Sequence, residues 1–158
     1  LKEFSEKDII VASQLTGDFT MPQDKQKKLV FIAGGIGITP FRSMIQYLMD
    51  THEQRSIVLF YANKTANEIA YKEIFDQAQS EIGLKTVYVL TNKEQIPAGW
   101  DGKVGRIDEK MITEEVPDFK ERTFYLSGPV AMVEAYKRLL AKLGVSRNQI
   151  VTDYFPGF

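Results

Sequence analysis

The sequence predicts an α/β domain in which a parallel sheet of five strands carries helices on both faces. Three observations lead there. From residue 28 onward, apolar runs of strand length alternate with segments whose apolar residues recur at helical spacing. The runs are apolar almost throughout rather than at every second position, as strands buried on both faces are. The junctions between them hold glycine, proline, asparagine and threonine, the residues of strand-to-helix turns.

Taken in order, Leu29-Val30-Phe31-Ile32-Ala33 is the centre of a first strand at 28–33. The glycine-rich turn Gly34-Gly35-Ile36-Gly37-Ile38-Thr39-Pro40 leads from it into a helix over about 40–50, where Phe41, Met44, Ile45 and Leu48 share one face. A second strand follows at 56–61, a helix over about 67–80 and a third strand at 84–90. After a longer polar stretch come a short helix near 108–114, a strand at 122–127, a helix over about 130–143 opened by Pro129, and a last strand at 149–154. Residues 1–27 do not begin an α/β unit: residues 8–13 suggest a short strand, Gly17 to Pro22 a turn and a short extended piece, and Gln23 to Lys28 a polar linker.

Composition excludes several classes of function. With 20 Lys and Arg against 21 Asp and Glu, the 158-residue chain has a net charge of -1 and no field to attract nucleic acid or an anionic membrane. No apolar run is long enough to cross a bilayer, and no signal-like segment opens the chain. The absence of cysteine excludes disulfides, thiolate metal sites and cysteine nucleophiles; it agrees with a cytoplasmic location, and no metal site is expected. The chain starts with Leu1 rather than methionine, which suits either a piece of a longer protein or a trimmed start.

Parallel sheets bind ligands beyond the carboxyl ends of their strands, so the loops after strands carry the chemistry. In the first, glycines let the backbone bend sharply and approach a ligand while the next helix points free N–H groups at an anion. It is either a phosphate cradle or a tight strand-to-helix packing turn. On the cradle reading Gly37 borders the pyrophosphate, so that Gly37→Val should block the nucleotide with little loss of fold. In the second loop, Asn63 and Thr65 either bond a ribose or cap the next helix, and Lys64 either meets a phosphate or is solvated. The third, from Thr91 and Asn92 to Arg106, has no acid at its start to hold ribose hydroxyls and no arginine there to hold a 2′-phosphate. Trp100 within it is expected to anchor the loop, its indole N–H on a carbonyl. The fourth is Ser127-Gly128-Pro129, a second strand-turn-helix junction that adjoins the first if their strands are neighbours. Ser127 has no nucleophile elbow around it, and the only histidine, His52, follows a helix; a Ser-His hydrolase is rejected.

Together these loops resemble the nicotinamide-binding domain of the ferredoxin-NADP reductase family. The likeness rests on Ile32 to Phe41, Tyr61 to Thr65, Gly99-Trp100 with Gly105-Arg106-Ile107, Ser127-Gly128-Pro129 with Met132, and Asp153-Tyr154-Phe155. It implies a Rossmann-like sheet of the ferredoxin-reductase type over 28–158, preceded in 1–27 by the last piece of a flavin-binding β-barrel. The barrel's flavin-holding Arg-x-Tyr-Ser/Thr signature is absent from these residues, so FAD would be held mainly by an upstream domain and not tightly by this chain alone.

The resemblance also implies roles. Gly34, Gly35, Gly37, Ile38, Thr39 and Pro40 would surround the pyrophosphate and nicotinamide ribose of NAD(P)H. Asn63, Lys64, Thr91, Asn92 and Met132 would line the adenosine end, and Ser127, Gly128 and Pro129 the nicotinamide. Members commonly carry cysteine where Ser127 stands. Asp153 with Phe155 or Phe158 matches a terminal segment that approaches the flavin in relatives. The implied activity is hydride transfer from nicotinamide to flavin, with onward electron transfer to an acceptor recognised by other domains, in the cytoplasm or at the cytoplasmic face of a membrane. Where Thr91-Asn92 stand, NADP-using relatives often show Ser-Arg, which tilts the choice toward NADH. The other reading is a nucleotide-sensing domain that retains the pocket without catalysis, as the replaced cysteine suggests.

Overall fold

The computed structural model describes residues 17–155. The expected strand at 8–13, most of the expected barrel remnant and Phe158 lie outside them. The elements are β1 (Leu29–Gly34), α1 (Thr39–Asp50), β2 (Ile57–Asn63), α2 (Lys72–Ile82), β3 (Lys85–Leu90), β4 (Lys103–Val104), α3 (Glu109–Glu115), β5 (Thr123–Pro129), α4 (Val130–Lys142) and β6 (Ile150–Phe155). All strand pairs are parallel, in the order β4-β3-β2-β1-β5-β6. The chain builds outward from β1 on one side, then returns to build outward on the other. The order therefore reverses between β1 and β5, which places the topological switch point there.

The five expected strands are all present, and a sixth joins them. Lys103 and Val104 pair with Val89 and Leu90 in the stretch read as polar loop, a two-residue ladder too short to show any periodicity. Trp100 makes the anchor: its Nε1 donates to the Lys103 carbonyl oxygen at 3.2 Å. α2 begins at Lys72 rather than near residue 67. The intervening residues are held away from helix by side chains: the Glu68 carboxylate accepts the Lys64 N–H, and the Tyr61 hydroxyl accepts the Ala70 N–H. Tyr71 then turns the chain at φ 59°.

The solid apolar runs have the expected cause, burial on both faces. In β1, Leu29, Phe31 and Ala33 pack with α1 and α2, while Val30 and Ile32 pack with α3 and α4. On the first face the rings of Phe31 and Phe41 stack with centroids 4.5 Å apart. Phe19, from the segment that leads into the domain, packs on Phe41 and Tyr125, and the Tyr125 hydroxyl donates to the Thr20 carbonyl at 2.9 Å. The incoming chain thus runs along the α1 face.

The amino ends of the strands are tied by charge. Buried Arg122 donates from Nη1 to the carbonyls of Leu29 and Ser56 and from Nε to Asp118 at 2.7 Å, while Lys28 reaches the same carboxylate at 2.9 Å. The Arg122 guanidinium, with Lys28 beside it, holds the Asp118 carboxyl down at about 2. Its charge therefore stabilises the fold above the ordinary carboxylate pKa, and that contribution is lost as pH falls through the depressed one. Asp118→Asn is expected to cost about 2 kcal/mol at neutral pH, with the gap to wild type closing between about pH 4 and about pH 2; urea unfolding across that range measures it.

Candidate functional site

Two strand-to-helix junctions meet at the switch point. The first runs from Gly34 through a 3-10 turn, Gly35–Ile38, into α1, with Pro40 in the first helical turn. Gly35 takes φ 52° with open space around it, so the turn rather than packing requires glycine there. The second runs from Ser127 and Gly128 through Pro129 into α4. α1 continues from the 3-10 turn, with the Thr39 N–H donated to the Ile36 carbonyl and no N–H on Pro40, so of the two helices it is α4, which has no side-chain cap, whose first-turn N–H groups could meet an anion.

The junctions interlock through backbone. A Cβ on Gly37 would run into the Ser127 carbonyl and stand 2.7 Å from Gly128 Cα. This corrects the expectation for Gly37→Val: the space beside Gly37 is filled by β5, so a branched side chain there opposes the fold before it opposes a ligand. Gly34 and Gly128 are likewise small because the Met132 side chain lies across both.

Beyond these junctions a cleft of about 740 Å³ opens between α4 and the carboxyl ends of β1, β2 and β3. Of the residues expected in a site, it is lined by Gly34, Gly35, Asn63, Lys64, Thr91, Pro129 and Met132. Others stand behind the lining. Thr39 donates through Oγ1 to the Ile36 carbonyl at 3.2 Å, Ile38 is core, Pro40 starts α1, and Gly128 lies under Met132. Asn92 is occupied locally: its Oδ1 accepts the Glu94 N–H, and its Nδ2 donates to Gln95. Thr91 Oγ1 donates to the Asn63 carbonyl at 3.2 Å.

Ser127 is fully buried and lies off the cleft lining. Its strand neighbour across the ladder is Asp153, and Ser127 Oγ donates to Asp153 Oδ2 at 3.4 Å. Alternation along β5 and β6 puts this pair on the α1 face with Tyr125 and Val151, the face along which Phe19 enters. Phe155 ends β6 beside them. His52 closes α1 at φ 51°, donating its N–H to the Met49 carbonyl, at the opposite end of the sheet from Ser127.

The lining also includes residues that sequence reasoning had not placed in a site: Ile36, Glu68, Arg106, Tyr136 and Leu139. Arg106 belonged to a recognised motif, but no spacing rule could bring the loop before α3 against α4. Burial pushes the Tyr136 phenol up to about 12, with the Arg106 guanidinium and the Ile107 N–H pulling the other way, so the phenol is neutral throughout the physiological range. Lys64 and Arg106 have no ion-pair partner among the described residues. Asn63 is 3% exposed on the same face of β2 as Tyr61, whose hydroxyl it approaches, and neither its Oδ1 nor its Nδ2 makes a hydrogen bond of good geometry.

A parallel sheet with paired glycine junctions at its switch point and an elongated, partly cationic cleft beside them is the architecture of a dinucleotide-binding domain. The chain belongs to the oxidoreductase NAD-binding domain family, whose pattern matches residues 31–138, and within it to the nicotinamide domain of ferredoxin-reductase-type flavoproteins. It is similar to one of the subunits of the Na(+)-translocating NADH-quinone reductase of Yersinia pestis, 32% identical over 154 residues, covering 95% of this chain and 38% of that one. A flavohemoprotein of Bacillus cereus is 29% identical over 153 residues, with the same two coverages. Among solved structures, Amycolatopsis cytochrome P450 reductase GcoB superposes with a TM-score of 0.76 at 25% identity over 90% of this chain and 42% of its own. The CS-b5R domains of human Ncb5or in the NAD+ form give 0.70 at 26% over 87% and 39%. The chain thus spans well under half the length of these proteins.

The two glycines separate packing from turn chemistry. Gly37→Ala is expected to cost about 2 kcal/mol or more, since β5 backbone must move, whereas Gly35→Ala should cost about 1 kcal/mol for its left-handed φ alone; chemical denaturation of both variants measures the difference.

Proposed function

We propose that this chain is the nicotinamide-binding module of a flavin-dependent oxidoreductase, acting within a longer protein whose upstream domain holds most of the FAD. The observation that carries this reading is the pair of glycine-containing strand-to-helix junctions at the switch point with an elongated cleft beside them. The interlocked junctions fit a dinucleotide, because the uncapped start of α4 and the open turn at Gly35 border the same cleft.

When both are bound, the nicotinamide supplies a hydride that the flavin accepts, and the protein's part is alignment and electrostatics. Asn63, Lys64 and Thr91 hold the adenosine half, with Met132 and Leu139 as its apolar wall. Gly34, Gly35 and the 3-10 turn that leads into α1 hold the pyrophosphate. Ser127, Gly128, Asp153 and Phe155 form the side that meets the flavin. The flavin domain is assigned to that side because Phe19, its connection to this chain, enters on the same face. Electrons then pass to an acceptor recognised by other parts of the protein, in the cytoplasm or at the cytoplasmic face of a membrane. No helix among the described residues is long and apolar enough to cross one.

Isothermal titration with NADH and NADPH tests the reading; it expects saturable binding of at least one at millimolar concentration or below, and no binding there overturns it. Lys64→Gln is expected to leave stability nearly unchanged while weakening binding about threefold to tenfold, because it removes a cleft cation that has no ion-pair partner among the described residues; thermal melts and titration of the same variant check both halves.

A further inference from the structure

We propose that Arg55 is a positioning residue: it clamps the segment that leads into the domain, and so fixes where the nicotinamide site stands relative to the flavin. The inference deepens the reading above and rests on it. Residues 19–25 form a strap along the α1 face, from the start of α1 to the turn between α1 and β2. The strap is held along its length. The Phe19 ring packs on Phe41 and Tyr125 with centroids 5.6 Å and 5.4 Å away, the Thr20 carbonyl accepts the Tyr125 hydroxyl at 2.9 Å, and Met21 joins the core on that face. At the far end Arg55 Nη1 donates to the Pro22 carbonyl at 2.7 Å and to the Asp24 carbonyl at 3.4 Å, and Lys25 Nζ lies 2.6 Å from Glu53 Oε2.

Arg55 is placed for this work. Its side chain is only 5% exposed, and its Nε donates to Glu53 Oε1 at 2.6 Å, so the guanidinium is locked on one edge and presents another to the strap. A buried guanidinium is tolerated only with its donors taken, and here carbonyls of the strap take them. Those acceptors are backbone, so they hold the path of the chain itself. Arg55 precedes β2 at the amino ends of the strands and is not among the residues that line the nucleotide cleft. Its route to the reacting atoms runs through the strap.

A loose tether would not align the two cofactors. The chain from Phe19 to Leu29, if unpinned, would let its far end wander by roughly 15–20 Å, whereas transfer needs the reacting atoms about 3–3.5 Å apart. With the strap pinned, the chain leaves the domain at Phe19, on the face where Ser127 and Asp153 pair. Two aromatic contacts and a hydrogen bond set its direction there. The clamp at Arg55 closes the other end, so the strap cannot slide along α1.

Two preparations test this. In the 158-residue chain, Arg55→Met should speed hydrogen exchange of residues 20–26 about tenfold or more, leave β1 and β5 protected, and change nucleotide affinity by less than about twofold. In the longer flavoprotein, the same substitution should lower the limiting rate of flavin reduction about tenfold, with the half-saturating nucleotide concentration nearly unchanged. Arg55→Lys, which keeps the charge but not the planar fork, should fall between. Phe19→Ala, which releases the other end of the strap, should repeat the pattern, and it decides the question if Arg55→Met does not fold. The proposal is overturned if exchange in the strap is unchanged, if the strap loosens without loss of the limiting rate, or if nucleotide affinity falls in step with the rate. A wild-type flavoprotein that neither NADH nor NADPH reduces would instead remove the oxidoreductase reading itself, and this inference with it.

Discussion

At the centre of this domain the backbone of one glycine junction lies directly on the backbone of another. Gly37 rests against the Ser127 carbonyl and Gly128 Cα, while Met132 reaches back across Gly128 to Gly34. A side chain at Gly37 would have to move the β5 backbone, whereas one at Gly34 or Gly128 would first displace the flexible end of Met132. Because the two strands are parallel neighbours, the turns that follow them lie side by side, and Gly35 and Pro129 border one cleft. The binding geometry is thus a consequence of close backbone packing, as well as of loop composition.

Polar groups are distributed unequally between the two ends of the sheet. At the amino ends Arg122, Asp118, Lys28 and Glu121 satisfy one another and several backbone carbonyls, which leaves little spare capacity for a ligand. At the carboxyl ends the balance is reversed, with two cations outside any ion pair and the start of α4 without a side-chain cap among the described residues. Satisfied groups add rigidity, and unsatisfied ones are capacity for binding.

Much of this was legible in the residues. Runs such as Leu29 to Ala33 and Ile57 to Tyr61 are apolar at every position because helices cover both faces, and only buried parallel strands read that way. Trp100 was readable as an anchor because an indole with one donor needs one carbonyl. The start of α2 was not readable, since the hydrogen bonds that hold residues 64–70 out of helix come in part from Tyr61 on a strand. β4 was invisible for a different reason: two residues have no period, and they pair only because Trp100 and the β3 edge bring them together.

The chemistry divides along the same line. Local order alone determined the alternation of strands and helices, the glycine turns, the proline starts of α1 and α4, and the pattern that marks a nicotinamide domain, because each depends on residues adjacent in the chain. The tertiary structure decided which of those residues face the ligand. It moved Gly37 from the pocket into the packing and occupied Asn92 and the Thr91 hydroxyl locally. It also brought Glu68, Arg106 and Tyr136 into one cleft from three separate segments. Whether a polar atom is free for a ligand depends on what every neighbouring strand and helix has already taken, and that is fixed only when they pack.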